Sequence, residues 1–268
     1  MDWAKRLHRK IKFRLAKRLL LLTLISLITI STTALAQSNQ SSAPPVRFIP
    51  PRPPTQTITS GRQRGGSSRR GECPVANKPL SALVPASWKS SNKPGKNPRL
   101  TQWESVWGLT SVPHPTFWFY VPLPLTPKFG LEFIIQSEQG NNIYKTSLTK
   151  VQKQPSFIQV QMPSNAAPLE VGQIYHWFFV VDCDPDAPPV VEGWIQRTTL
   201  SAELSNRLKK ASPKQRFALY ATHGIWYDAL NSLAQMRRIN PNDRTLFLNW
   251  VELMNFIGMK EIANEPIN

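Results

Sequence analysis

The chain has 268 residues, with 33 Lys and Arg against 16 Asp and Glu, for a formal charge of +17. A hydrophobic content of 41% with 10% aromatics is enough to bury a core, so global disorder is excluded. The composition also excludes collagen-like, coiled-coil and disulfide-dense mini-protein classes, leaving one large or two small domains.

The charge is unevenly placed. Met1 to Arg18 carries eight basic residues against Asp2. An apolar run from Leu19 to Ile30 follows, and then the A-x-A pattern Ala34-Leu35-Ala36. This order predicts an export signal over residues 1–36, cleaved between Ala36 and Gln37. The apolar run is short of the roughly 20 residues that a span requires. An uncleaved signal would be the chain's one attachment to a membrane. The residue directly after the cleavage site is Gln37 rather than Cys, which argues against a lipid anchor. Residues 1–36 hold +7, residues 37–72 hold +5 and residues 73–268 hold the last +5. A folded part this mildly basic lacks a concentrated cationic face, so no nucleic-acid partner is expected.

Residues 37–72 read as a disordered Pro/Arg/Gly-rich linker. Ala43 to Pro54 favours extended polyproline II, because proline fixes φ and removes amide donors. Gly61 to Gly71 is flexible and cationic, and would contact an acidic envelope surface in a salt-sensitive way. Cys73 and Cys183 are the only cysteines, and an exported chain with two predicts one disulfide between them. There is no C-x-x-C pair, so a structural bridge is favoured over redox chemistry.

From residue 73 to 199 the pattern is strand-like. Thr116 to Val121 is an aromatic strand bracketed by Pro115 and Pro122. Leu131 to Gln136 and Ile143 to Leu148 flank the turn residues Gly140-Asn141-Asn142 and read as a hairpin. Phe157 to Met162 is a further short strand. Ile174 to Val181 is the strongest, with Tyr175, Trp177, Phe179 and Val181 on one face and Ile174, His176, Phe178 and Val180 on the other. Two mostly apolar faces suit a central strand with a second layer packed over it. Val190 to Gln196 returns antiparallel beside it.

After Leu200 the period becomes helical. Ser201 is an N-cap, and Ser212-Pro213-Lys214-Gln215 is a capping box. Trp226, Ala229, Leu230, Leu233 and Met236 form one apolar stripe, and Leu246, Trp250, Leu253 and Met254 belong to another, which Gly258 ends. The expected fold is α+β: an antiparallel β-sandwich, Ig-like or jelly-roll-like, over 73–199. A C-terminal bundle of three to four helices, 200–268, caps it.

Catalytic patterns are scarce. His114, His176 and His223 are the histidines left after export and show no zinc-type spacing. A core role suits His176, a turn role His114 and a helix C-cap role His223. No nucleophile elbow, Walker loop or dinucleotide motif is present, so neither a catalytic residue nor a cofactor is assigned. Asp182, Asp184 and Asp186 open like a calcium loop, but the sixth position is Ala187 and the twelfth is Gly193, so no metal is expected.

The residues Gly71-Glu72-Cys73-Pro74, Ser81 to Pro85 and His114 to Pro122 carry a family likeness. So do Trp177 to Pro185 and Val191 to Arg197. Together they resemble a set of exported cyanobacterial proteins catalogued as domain of unknown function 928, over about Gly71 to Glu265. The resemblance implies export and supplies no activity. Residues 224–242 also resemble the second helix of a tetratricopeptide repeat, which makes Trp226 and Tyr227 a candidate interaction surface. The leading expectation is a non-enzymatic module that binds an envelope or secreted protein in the periplasm, outer envelope or medium. The alternatives are a carbohydrate-binding module using Trp88, Trp103 and Trp107, and an envelope-polymer hydrolase using Glu132, Glu170 and Glu192.

Overall fold

Proline on either side isolates an almost wholly buried aromatic strand, β4 (Thr116–Val121), and the rest of the core is arranged around it. The computed structural model describes residues 44–52, 61–65, 73–90, 102–125, 129–148 and 154–267; the side chains of 88–90 and 102–104 lie outside that description. β1 (Ser81–Ala82), β4 and β7 (Ser156–Gln161) form a three-stranded sheet in the order β1-β4-β7. The second sheet has six strands: β2 (Ala86–Ser90), β3 (Gln102–Thr110), β5 (Gly130–Ser137), β6 (Asn142–Leu148), β8 (Ile174–Asp182) and β9 (Val190–Arg197). Their order is β2-β3-β9-β8-β5-β6. Four helices follow: α1 (Ala202–Lys210), α2 (Pro213–Thr222), α3 (Trp226–Ile239) and α4 (Arg244–Phe256), then a 3-10 turn at Lys260–Ile262.

The chain is therefore α+β, strands first, with two mostly antiparallel sheets. The expectation of a purely antiparallel arrangement is corrected at β3 and β9, which pair in parallel from Trp107↔Trp194 to Thr110↔Arg197. Parallel neighbours need a long crossover, and the strands β4 to β8 supply it. The predicted hairpin is β5–β6, and β9 returns antiparallel beside β8.

The sheets meet through aromatic rings. Phe119 of β4 stacks on Phe179 of β8 with centroids 4.0 Å apart, and Phe117 lies 4.7 Å from Phe133 of β5. On the other side of the small sheet, Phe157 meets Trp250 of α4 at 5.0 Å, and Trp118 Nε1 donates to Asn231 Oδ1 of α3 at 3.2 Å. The first turn of α3 reaches the large sheet directly. A Cβ at Gly108 would lie 3.1 Å from both Trp226 and Tyr227, a tight fit that glycine relieves where the helix meets β3. Trp226 Nε1 donates to the Leu83 carbonyl at 2.7 Å, and Trp177 Nε1 donates to the Tyr227 hydroxyl at 2.8 Å.

Local chemistry explains the helix ends. Ser201 Oγ accepts from the Leu204 amide, and Ser212 and Gln215 satisfy each other's amides reciprocally. Asp243 Oδ1 accepts from the amides of Thr245 and Leu246.

The expectation of a disordered linker is corrected over 44–52 and 61–65. Phe48 is buried against Trp226, Ile49 N donates to the Ala221 carbonyl at 3.0 Å, and Val46 N donates to Asn249 Oδ1 at 2.7 Å. Arg62 exchanges two backbone hydrogen bonds with Glu192, and buried Gln63 Nε2 donates to the Val84 and Ile257 carbonyls. Residues 37–43, 53–60 and 66–72 lie outside the described residues, as do the signal segment and Ala36–Gln37. Cys73 and Cys183 are joined by a disulfide, with Cα atoms 4.9 Å apart, which ties the segment before β1 to the residue that follows β8.

Candidate functional site

Strand β8 divides its side chains strictly. Tyr175, Trp177, Phe179 and Val181 are buried under the small sheet and α3, whereas His176, Phe178 and Val180 face outward and stay half-buried. The register extends that outer face across neighbouring strands. Trp107 of β3, Trp194 of β9, His176 of β8 and Gln136 of β5 form one row. Glu192, Phe178, Ile134 and Lys145 form the next. Trp107, Leu109, Trp194, Phe178 and Ile134 are all half-buried. A one-sided antiparallel sheet ordinarily turns polar residues to water, so an outer face this apolar departs from the pattern.

Polar contacts are threaded through the face. His176 Nε2 lies 3.2 Å from Glu192 Oε2. That close contact holds the Glu192 carboxyl below its ordinary range against partial burial, aided by the charges of His176 and Arg62. The His176 ring stacks on Trp194 with centroids 4.1 Å apart and planes within 5°. Neighbouring strands are about 4.8 Å apart, so two such rings stand upright side by side rather than lying flat on the sheet. Lys145 Nζ pairs with Glu132 Oε1 at 2.5 Å.

One end of the face opens into a recess of about 370 Å³, whose walls include Trp107, Leu109, Gln196, Arg52 and Arg197. Arg197 Nη1 donates to the Leu169 carbonyl at 2.6 Å. Among the described residues, neither Arg52 nor Arg197 is in an ion pair with a carboxylate.

The residues singled out from sequence are scattered. Trp226 and Tyr227 are 0% and 2% exposed, which corrects their assignment to an interaction surface. Their polar atoms are spent inside the core, because the first turn of α3 packs onto β3 instead of facing water. Trp107 belongs to the outer face; the side chains of Trp88 and Trp103 lie outside the described residues. Glu132 and Glu192 share that face with β8 between them, and Glu170 is exposed on the loop before β8, so the three do not share one cleft. His114 Nε2 sits 3.0 Å from the Ala166 carbonyl, and His223 closes α2 with Nδ1 2.7 Å from the Leu219 carbonyl. Asp184 is buried and accepts from the amides of Asp186 and Ala187, while Asp182 and Asp186 are exposed. Among the described residues no three ligating side chains converge as a metal site would require.

The outer face itself was not singled out. Its signal is the doubly apolar pattern of 174–181, which does not say which face stays open. Among the described residues, no helix is long and apolar enough to cross a membrane. Comparison with curated proteins finds no match. The profile of the Domain of Unknown Function family DUF928 matches residues 64–267, which take in every strand and helix among the described residues, and the chain belongs to that family.

Proposed function

We propose that the protein is exported and acts in the cell envelope as a non-enzymatic module that binds another envelope or secreted protein. The scaffold for this reading is a β-sandwich capped by helices. The signal-like N-terminus and the Cys73–Cys183 disulfide support export. The observation that carries the binding role is the half-exposed apolar face of the six-stranded sheet, Trp107, Leu109, Trp194, Phe178 and Ile134. Interface cores are enriched in such aromatic residues and depleted of charge. A protein partner suits the face better than a glycan. Sugars need flat ring platforms, whereas Trp194 and His176 cover each other's faces and aliphatic side chains fill the gaps. Arg52 and Arg197 at one end call for a partner whose apolar patch is flanked by carboxylates.

A photo-crosslinking residue at position 178, compared with one at exposed Ile239, tests the proposal in envelope extracts. The expected result is an adduct specific to position 178, mapping to an apolar, acid-rimmed segment of one protein. Excess unlabelled protein should compete it away, and rising salt or Arg52→Glu should weaken it. A glycan adduct, an adduct with a second copy of this chain, or equal labelling from position 239 would overturn the proposal.

A further inference from the structure

A polar cavity of about 240 Å³ lies where the end of β3, the β3–β4 loop, α2 and α3 meet. Its lining includes Thr116, His114, Tyr220, Asn231 and Ser232, with Asp228 of α3 at the base, only 7% exposed. None of the lining residues is Lys or Arg. Asp228 Oδ2 accepts from the Ser111 amide at 2.8 Å, and Oδ1 lies 3.4 Å from Ser111 Oγ. Among the described residues it has no cationic partner.

A buried carboxylate without a counter-charge is costly, and an asparagine could accept the Ser111 amide equally well. Burial accordingly raises the Asp228 carboxyl to about 6 in spite of its donors. Tyr220 is raised as well, first by burial and then by the Asp228 charge. Opposing this are a hydrogen bond with Ser111 and then the charge of Arg216, whose Nε donates to the Leu208 carbonyl. What the cavity lacks is a cation. The rest of its polar lining consists of hydroxyls, amides and an imidazole. Asn231 Oδ1 accepts from Trp118, and His114 is held at the Ala166 carbonyl. One carboxylate is too few for calcium, which takes six to eight oxygens, and among the described residues no ligating cluster forms here.

We propose that this cavity binds a small, hydroxylated primary amine of about monosaccharide size. The ammonium donates to Asp228, and the hydroxyls exchange hydrogen bonds with Asn231, Ser232 and Thr116. A charge-assisted hydrogen bond in a partly enclosed site makes the ammonium the discriminating group. The cavity is built from residues other than those of the outer sheet face, so it stands or falls separately from the protein-binding role.

Calorimetric titration at pH 7 with glucosamine as probe tests it, with glucose and N-acetylglucosamine as the uncharged comparisons. Glucosamine should bind saturably and raise Tm, and each uncharged sugar should bind at least about tenfold more weakly. Asp228→Asn should lose the glucosamine preference while keeping its fold. Asn231→Ala should weaken all three sugars and leave the preference in place. The idea is overturned if glucosamine gives no saturable heat, if glucose matches it, or if Asp228→Asn binds it as tightly as wild type. Should Asp228→Asn fail to fold, the comparison of glucosamine with N-acetylglucosamine on the wild type still decides, because the two differ at the amine.

Discussion

Asp228 sits in the first turn of α3, where an acid is ordinarily welcome beside the helix N-terminus, yet its carboxyl is raised from 3.8 to about 6 because burial outweighs its donors. Between about pH 4 and pH 6 the folded chain therefore holds a proton that the unfolded chain has released. Stability from this group is greatest below pH 4 and falls as pH rises to 6. Asn mimics the protonated acid, so the stability of Asp228→Asn relative to wild type should improve by roughly 2–3 kcal/mol between pH 4 and pH 7. Urea unfolding of both proteins across that range checks it; a constant difference would mean that Asp228 is solvated. Glu192 has the opposite sign, since its depressed carboxyl loses stability as pH falls, and the difference between variants removes it. Nothing in the sequence distinguishes Asp228 from a surface acid. Its neighbours Trp226 and Ala229 are legible as part of a stripe, but the burial of Asp228 depends on the chain around Ser111, 117 residues earlier.

At the scale of elements, the caps of α1 and α2 were legible because each is a contact over three residues. So were β4 and β8, whose aromatic runs are bounded by proline or turn residues. β2 and β3 were not, because Val106 and Trp107 stand next to each other on opposite faces and break any period-two signal. The segment 44–52 shows the same limit from the other side. Its prolines favour an extended chain in isolation, and what fixes it lies far along the sequence: the Val46 and Ile49 amides find Asn249 and Ala221, and the Phe48 ring is placed 4.9 Å from Trp226 and 5.0 Å from Phe256. Gly224, at φ +73°, is needed there both for its turn and because a Cβ would come within 3.0 Å of the Ile49 carbonyl. Phe48→Ala should cost about 3 kcal/mol in urea unfolding, within the range for buried aromatic truncations. A free linker would give no change.

For the molecule as a whole, the disulfide closes a separation of 110 residues. Replacing Cys73 and Cys183 together by Ser should lower unfolding free energy by roughly 4–5 kcal/mol in the loop-entropy model. The comparison is of denaturation midpoints under equal conditions; unchanged midpoints would place the bridge's effect elsewhere. The pairing of two cysteines was legible because there were only two. The parallel β3–β9 pair was not, since partners 87 residues apart leave no local trace. Nor was the open sheet face, because an apolar face reads identically whether the covering layer lies in the same chain or in another molecule.

The ties between the first and last parts of the chain bear on the order in which it can fold. Val46 waits for Asn249, 203 residues later, Gln63 for Ile257, 194 later, and Leu83 for Trp226, 143 later. A chain emerging N-terminus first can form the β5–β6 hairpin, but the inner face of the large sheet has no wall beside β3 until α3 exists. Contacts of such long sequence separation form slowly. The strands therefore complete their packing only once α3 and α4 are available. The late helices thus set the order of assembly: the core closes only after nearly all of the chain has been made.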